Sequence, residues 1–155
     1  MCIRDRCNCG VKHVEVARRH CPIASVQNEF NLWEQRAWKG KVSDAKSNEG
    51  GVLPYCQENG IVFMPHGAFG GKKARDGNRD LARDFPPVAE MAQMKGVSPH
   101  AIALAWMRHR WPCIVHIIGF RNARHLHTLR EASQLQLDEK ELKIIDGLKK
   151  PRGSK

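Results

Sequence analysis

Three short apolar runs in this chain, at residues 22–31, 60–71 and 113–122, each end in polar or glycine residues, and helical sequence lies between them. Strands of a parallel sheet are buried on both faces, so they appear in a sequence as near-continuous apolar runs. The pattern therefore predicts parallel strands that alternate with helices. Because ligands in such folds bind where strands pass into loops, at their carboxyl ends, we expect a functional site at these three places.

The length of the chain limits which architecture it can complete. Its 155 residues are about one domain, whereas a complete barrel of eight strand–helix units needs about 250 residues. Predicted helices follow the strands after short loops, an order that gives right-handed crossovers and a parallel sheet. We therefore predict an α/β fold that, if it is a barrel, is an incomplete one.

The two ends of the chain are predicted to lie outside the fold. Residues 1–9 show no amphipathic period, and their beginning resembles a junction scar of an assembled reading frame, so we interpret 1–9 as artefactual or disordered. Residues 151–155 are predicted to be a disordered tail. The folded part is expected to span residues 10–150.

The chain is strongly basic, with 26 Lys and Arg residues against 16 Asp and Glu residues and a formal net charge of +10. Such a charge favours phosphate-bearing ligands or polyanions through long-range attraction. The basic residues are scattered, with local clusters at 72–75, 108–110 and 121–130, which is also typical of a solvated surface. A small basic nucleic-acid-binding domain therefore stays open as an alternative.

Cysteine and histidine spacing argues against a disulfide framework or a metal site. The six cysteines have no regular spacing, and the eight histidines contain no HExxH arrangement. No apolar run approaches the roughly 18 residues that span a bilayer, and no secretory leader is recognisable. We expect a cytoplasmic protein with reduced cysteines, without a metal and without a membrane partner.

Polar or glycine residues at each predicted strand end suggest a ligand. At the third run, Gly119, Arg121 and Asn122 stand where a strand becomes a helix, so backbone N–H groups and a guanidinium favour a phosphate there. At the second run, residues 66–71 combine an imidazole ring with glycines, which suits a planar ring and a diphosphate. At the first run, Gln27 offers an amide to another amide. A helix cap, a turn and a satisfied amide would explain the same residues, and the sequence alone leaves both interpretations open.

Five segments of the chain resemble the C-terminal half of the aldo-keto reductases. They are PIASVQNEFN at 22–31, VLPYC at 52–56, GIVFMP at 60–65, ALAW at 103–106 and IIGFRN at 117–122, in family order and near family spacing. The resemblance covers residues 10–148. It implies the C-terminal half of a TIM (β/α)8 barrel, with about three to four strand–helix units, from an NADP(H)-dependent oxidoreductase that reduces small carbonyl compounds to alcohols.

The resemblance also implies cofactor contacts. It places Gln27 at the nicotinamide carboxamide and His66 against the nicotinamide ring, where the family usually has a tyrosine. The other implied contacts are Gly67, Phe69 and Gly71 for the diphosphate, and Phe120, Arg121, Asn122 and His125 for the adenosine 2′-phosphate. Gly119, just before these residues, is also counted among the cofactor contacts.

The resemblance assigns no catalytic residue to this chain. In the family the catalytic Asp, Tyr, Lys and His lie on the first half of the barrel, and none of them can be matched here. The chain alone is therefore expected to be inactive, and a half barrel with open sheet edges is expected to self-associate. A non-catalytic half barrel that acts as a regulatory or interaction module is the main alternative, ahead of the nucleic-acid-binding domain.

Overall fold

A parallel three-stranded sheet organises the computed structural model, which describes residues 5–40, 50–119 and 123–151. The strands are β1 (Asp5–Cys7), β2 (Ser25–Glu29) and β3 (Val62–His66), with β2 in the centre and parallel pairing on both sides. Because β2 and β3 lie within the first and second apolar runs, the prediction of parallel strands at these two places is confirmed.

Helices connect and cover the strands. In chain order the helices of the described residues are α1 (Val11–Arg18), α2 (Arg36–Lys39), α3 (Val52–Glu58), α4 (Gly71–Arg75), α5 (Leu81–Asp84), α6 (Pro86–Lys95), α7 (Pro99–Arg110), α8 (Ala123–Gln134) and α9 (Glu139–Asp146). The Ser98 hydroxyl caps α7 by accepting from the Ala101 N–H at 3.1 Å, and Asp138 forms a capping box with Glu141 at the start of α9. Ser-Pro at 98–99 and Asp-x-x-Glu at 138–141 are both sequence patterns typical of a helix start.

The third apolar run does not form the strand that the sequence predicts within its described part. Residues 113–119 make one parallel bridge to β3, in which Phe63 N–H donates to the Cys113 carbonyl at 2.9 Å and Val115 N–H donates to the Phe63 carbonyl at 3.0 Å. The next donor of this ladder on β3 would be residue 65, which is proline and has no N–H. Pro65 therefore ends the pairing after one step.

Residues 5–9, which we expected to lie outside the fold, are instead attached to β2. β1 pairs with β2 in parallel register, and Asn8 N–H continues the ladder to the Gln27 carbonyl at 2.9 Å. The buried Asn28 side chain then donates to the Cys9 carbonyl at 2.7 Å and accepts from the Cys9 N–H at 3.1 Å. The side-chain amide bonds both backbone groups of Cys9, so it continues the attachment of this segment beyond the strand pair. An artefactual origin of the terminus stays a prediction.

The core is built around α7. Its residues 101–107 are all apolar and all buried, as in a helix that is covered on more than one side. The Trp106 ring stacks on Phe30, with ring centroids 5.6 Å apart, and its Nε1–H donates to the Asp146 carboxylate of α9 at 2.8 Å. The buried indole thus keeps its one donor satisfied, and it links α7 to the end of β2 and to α9.

The open edge of the sheet leads us to expect that the chain associates with further copies of itself. β1 has no neighbour on its outer side among the described strands, and the 113–119 segment exposes Val115 and Ile117 by 54% and 43%. Unpaired strand edges and exposed apolar side chains favour association. We expect sedimentation velocity to show dimers or larger species, and the double variant Val115→Lys, Ile117→Lys to shift the chain towards monomer. Met94→Lys, at an exposed position of α6, is the control. A monodisperse wild-type monomer would contradict this prediction.

The chain should also lose stability in mild acid because of His116. Burial, with a smaller contribution from Arg108, lowers the pKa of His116 to about 4, and its Nε2 has no partner in the described residues. An unfolded histidine has a pKa of ~6.5, so between about pH 6.5 and 4 the unfolded chain binds the extra proton. The stability that the neutral His116 contributes to the free energy of unfolding is fully present above about pH 6.5. It is lost as the pH falls towards 4, by up to ~3 kcal/mol.

His116→Leu should therefore reduce the difference between the urea midpoints measured at about pH 7.5 and about pH 5. The exposed His20 provides a control, since His20→Leu removes an imidazole without changing a buried one. If the His116 variant and wild type lose the same stability over this range, His116 is not the group responsible.

Candidate functional site

A cavity of about 610 Å³ lies between the loop that follows β3 and the segment that leads into α8. Residues of the 67–71 loop line one part of it, residues 117–119 and His125 line another part, and Arg79 and His100 also contribute. A smaller cavity of about 150 Å³ shares some of these residues and extends along α8. The site is therefore built from the ends of two strand-like segments and the helices that follow them.

Several residues that the sequence predicts as cofactor contacts meet in this cavity. Those that line it are Gly67, Phe69, Gly71, Gly119 and His125. Three further predicted contacts lie outside the described residues, and their roles stay predictions: Phe120, Arg121 and Asn122.

Gln27 and His66 do not line either of these two cavities. Gln27 is the third residue of β2 and pairs in register with Cys7 on one side and Met64 on the other. His66 is the last residue of β3, and its Nε2 lies 3.0 Å from the Asn8 Oδ1 atom. Both residues therefore lie on neighbouring strands of the sheet.

The loop after β3 depends on glycine at residue 70. Gly67, Gly70 and Gly71 have φ angles of +66°, +93° and +62°, in the region that favours glycine. The Gly70 N–H donates to the Gly67 carbonyl at 2.8 Å and closes a tight turn. A Cβ atom on Gly70 would lie 2.9 Å from Arg79 Cδ and 3.2 Å from the Trp33 ring, so the space is already filled by these two side chains.

Asn31 ties the end of β2 to this loop. Its buried side chain donates to the Gly67 carbonyl at 3.0 Å and to the Glu29 carboxylate at 3.2 Å. The Asn31 Oδ1 atom accepts from the N–H groups of Trp33 at 2.9 Å and Glu34 at 2.8 Å. The amide thus uses its donors and its acceptor together, so its orientation and the loop position are fixed at once.

Arg79 is a second tie, and sequence reasoning missed it. Its side chain is only 6% exposed; Nη1 donates to the Gly70 carbonyl at 3.2 Å and lies 3.6 Å from the Glu29 carboxylate. Its guanidinium carbon also lies 5.4 Å from the centre of the Trp33 ring. A buried guanidinium requires a countercharge and hydrogen-bond acceptors. The Glu29 carboxylate supplies the countercharge and the Gly70 carbonyl accepts one hydrogen bond, whereas Arg79 Nε has no hydrogen-bond partner among the described residues. No signal in the charged stretch 72–84 distinguishes this arginine from its solvated neighbours.

Two imidazoles face the same cavity. His100, on the first turn of α7, packs edge-on against Phe69 with ring centroids 4.7 Å apart, while much of its surface stays accessible at the cavity. The protein around it lowers the pKa of His100 mainly through desolvation; Asp80 opposes this shift and His125 adds to it. With Arg75 and Arg79 also on the wall, the cavity suits an anionic ligand that carries a planar ring.

The site contains no tyrosine. The sequence has one tyrosine, Tyr55, which lies on α3 and accepts a hydrogen bond from Arg18 Nη1 at 2.9 Å. Neither cavity includes it. The described arrangement can therefore hold and orient a ligand, but it offers no phenol to donate a proton.

The described cysteines do not form disulfides, and burial raises the pKa of Cys56 to about 12. Within the same residues, no three His, Cys, Asp or Glu side chains lie close enough together to hold a metal ion. Within the described part of the chain, no helix is both long and apolar enough to cross a bilayer.

Comparison with known proteins shows similarity to oxidoreductases that are much longer than this chain. The pyridoxine 4-dehydrogenase of Escherichia coli is 27% identical over 140 residues, which are 87% of this chain and 40% of that protein. A norsolorinic acid reductase of Emericella nidulans is 29% identical over 109 residues, 61% of this chain and 28% of that protein. The chain thus spans less than half the length of these relatives.

Solved structures show the same fold. An aldo-keto reductase crystallised with NADPH superposes with a TM-score of 0.67 and 21% identity, over 94% of this chain and 42% of that chain. The model of the Aldo/keto reductase family matches residues 6–150. The match extends over both walls of the cavity and over the strands and helices that position them, and the chain belongs to the aldo-keto reductase family.

Proposed function

We propose that this chain is the cofactor-binding half of an NADP(H)-dependent oxidoreductase that reduces a carbonyl group of a small molecule to an alcohol. The observation that carries the proposal is the cavity that joins the glycine loop after β3 to Gly119 and His125. Family membership supports the reaction type, and the likeness to an aldo-keto reductase crystallised with NADPH supports the cofactor.

The two parts of the cavity suit two phosphate-bearing parts of one extended ligand. In this proposal the diphosphate lies along the loop of Gly67, Phe69 and Gly71, while the adenosine 2′-phosphate lies near His125 and Arg121. Bound NADPH would supply the hydride. Gln27 and His66, on adjacent strands, would orient the nicotinamide through its carboxamide and its ring face.

The proposal assigns binding, and not proton transfer, to these residues. The family's catalytic Asp, Tyr, Lys and His are not matched in this sequence, and Tyr55 stands on α3 away from both cavities. We therefore propose that the 155 residues bind the cofactor without reducing a carbonyl substrate. A cytoplasmic location with reduced cysteines belongs to the same proposal and is supported by the irregular cysteine spacing.

Calorimetry with NADPH and NADH tests the proposal. We expect the chain to bind NADPH, and Arg121→Ala to weaken NADPH roughly 10- to 100-fold while changing NADH little, because a charge-assisted hydrogen bond to a phosphate contributes about 1.5–3 kcal/mol. Arg130→Ala, at an exposed position of α8, removes the same charge and serves as the control. Equal losses for both nucleotides would contradict the 2′-phosphate role, and no binding of either would contradict the proposed function.

Arg79 provides a second test, because its buried side chain holds the glycine loop at residues 67–71 through the Gly70 carbonyl. Arg79→Met keeps the length of the side chain but removes the bond to Gly70 and the charge beside Glu29. We expect a loss of about 2 kcal/mol in the free energy of unfolding, faster amide exchange in residues 67–71 and weaker NADPH binding. Arg83→Met, where the arginine is exposed, is the matched control. Unchanged amide exchange in the loop would show that Arg79 does not position it.

A further inference from the structure

His100 lines the cavity without taking part in the proposed contacts to the diphosphate or the nicotinamide. It lies on the first turn of α7, and both cavities include it together with His125 of α8. Its ring packs edge-on against Phe69, with ring centroids 4.7 Å apart, and it lines both cavities. The two imidazoles therefore come from different helices and meet at one ligand space.

The charges around this pair favour an anion once a proton is added. His125 comes from α8, Arg75 from α4, and Arg79 and Asp80 from the segment before α5. Asp80 is the acidic group among them, and its carboxylate already accepts from the Arg83 N–H at 2.8 Å as the cap of α5. Among the described residues that line the two cavities, Asp80 is thus the one carboxylate near an imidazolium at His100, and it is committed to a helix cap.

We propose that His100, which meets His125 at this ligand space, is a proton-linked contact for the 2′-phosphate monoester of the cofactor, so that the preference for NADPH over NADH increases as the pH falls. This inference rests on the proposed function. The diphosphate is assigned to the loop of Gly67, Phe69 and Gly71, whereas His100 and His125 also line the smaller cavity along α8. A dianionic phosphate monoester is the group of NADPH that NADH lacks.

The direction of the pH effect follows from linkage. In the free protein, desolvation and His125 hold the pKa of His100 below its ordinary value, so the ring is neutral near pH 7. A phosphate beside the ring favours its protonated form, so binding takes up a proton. NADPH affinity then rises as the pH falls through the pKa of the complex, by at most about tenfold per pH unit for each proton. Because a phosphate monoester itself titrates at about pH 6, the useful range is about pH 8 to 6.5.

The test is calorimetry of the whole chain with NADPH and with NADH, in two buffers of different ionisation heat. Near pH 7 we expect the binding of NADPH to be accompanied by uptake of close to one proton by the complex, and the binding of NADH by none. The ratio of NADPH affinity to NADH affinity should rise about fivefold or more from pH 8 to 6.5. His100→Phe keeps a ring against Phe69 without a proton, and it should remove most of both effects. His127→Asn, an exposed histidine of α8 bound to Glu131, should remove neither.

The outcomes separate this inference from the proposed function. NADPH binding with equal proton uptake for NADH, a flat NADPH preference across the range, or an unchanged His100→Phe variant would each overturn the phosphate site and leave cofactor binding standing. Failure of both nucleotides to bind at every pH would overturn both. The number of protons taken up on NADPH binding is measured on the wild-type chain, so the test does not depend on whether the His100→Phe variant folds.

Discussion

The buried polar network at the end of β2 is the constraint on which the candidate site depends. Asn31 holds the Gly67 carbonyl, Arg79 holds the Gly70 carbonyl, and Glu29 contacts both of these side chains. Hydrogen bonds of this kind cost free energy when one partner is lost, because the remaining buried group stays unsatisfied. The glycine loop is therefore held by Asn31, just after β2, and by Arg79, from the segment before α5, and its other surface stays available to the cavity.

Placement of the loop determines what the cavity can bind. One wall offers glycine backbone and the Phe69 ring; the other offers Gly119 and two imidazoles, with arginines at the margin. This combination matches an extended anion with a planar ring better than it matches a compact neutral substrate. The basic charge of the chain acts in the same direction through long-range attraction.

Sequence patterns predicted the strands and helices whose formation depends on burying a run of apolar residues. They did not predict the features that depend on one hydrogen bond or one contact. The strands at Ser25–Glu29 and Val62–His66 and the buried helix Pro99–Arg110 follow from apolar runs and caps. The third apolar run formed one bridge instead of a strand, because Pro65 on β3 has no N–H to continue the ladder. Asp5–Cys7 is too short to carry a pattern, and Arg79 resembles any other loop arginine until the fold buries it. His100 belongs to the site only because α7 approaches Phe69.

Hydrogen–deuterium exchange of the chain with and without saturating NADPH tests the central claim most directly. If the cavity holds the phosphates of the cofactor, protection should appear in peptides that cover residues 66–75 and 117–127, where the glycine loop and the start of α8 lie. Peptides that cover 52–58 and 139–146, on α3 and α9, should not change. Protection confined to those control helices, or spread evenly over the chain, would contradict the placement of the cofactor in this cavity.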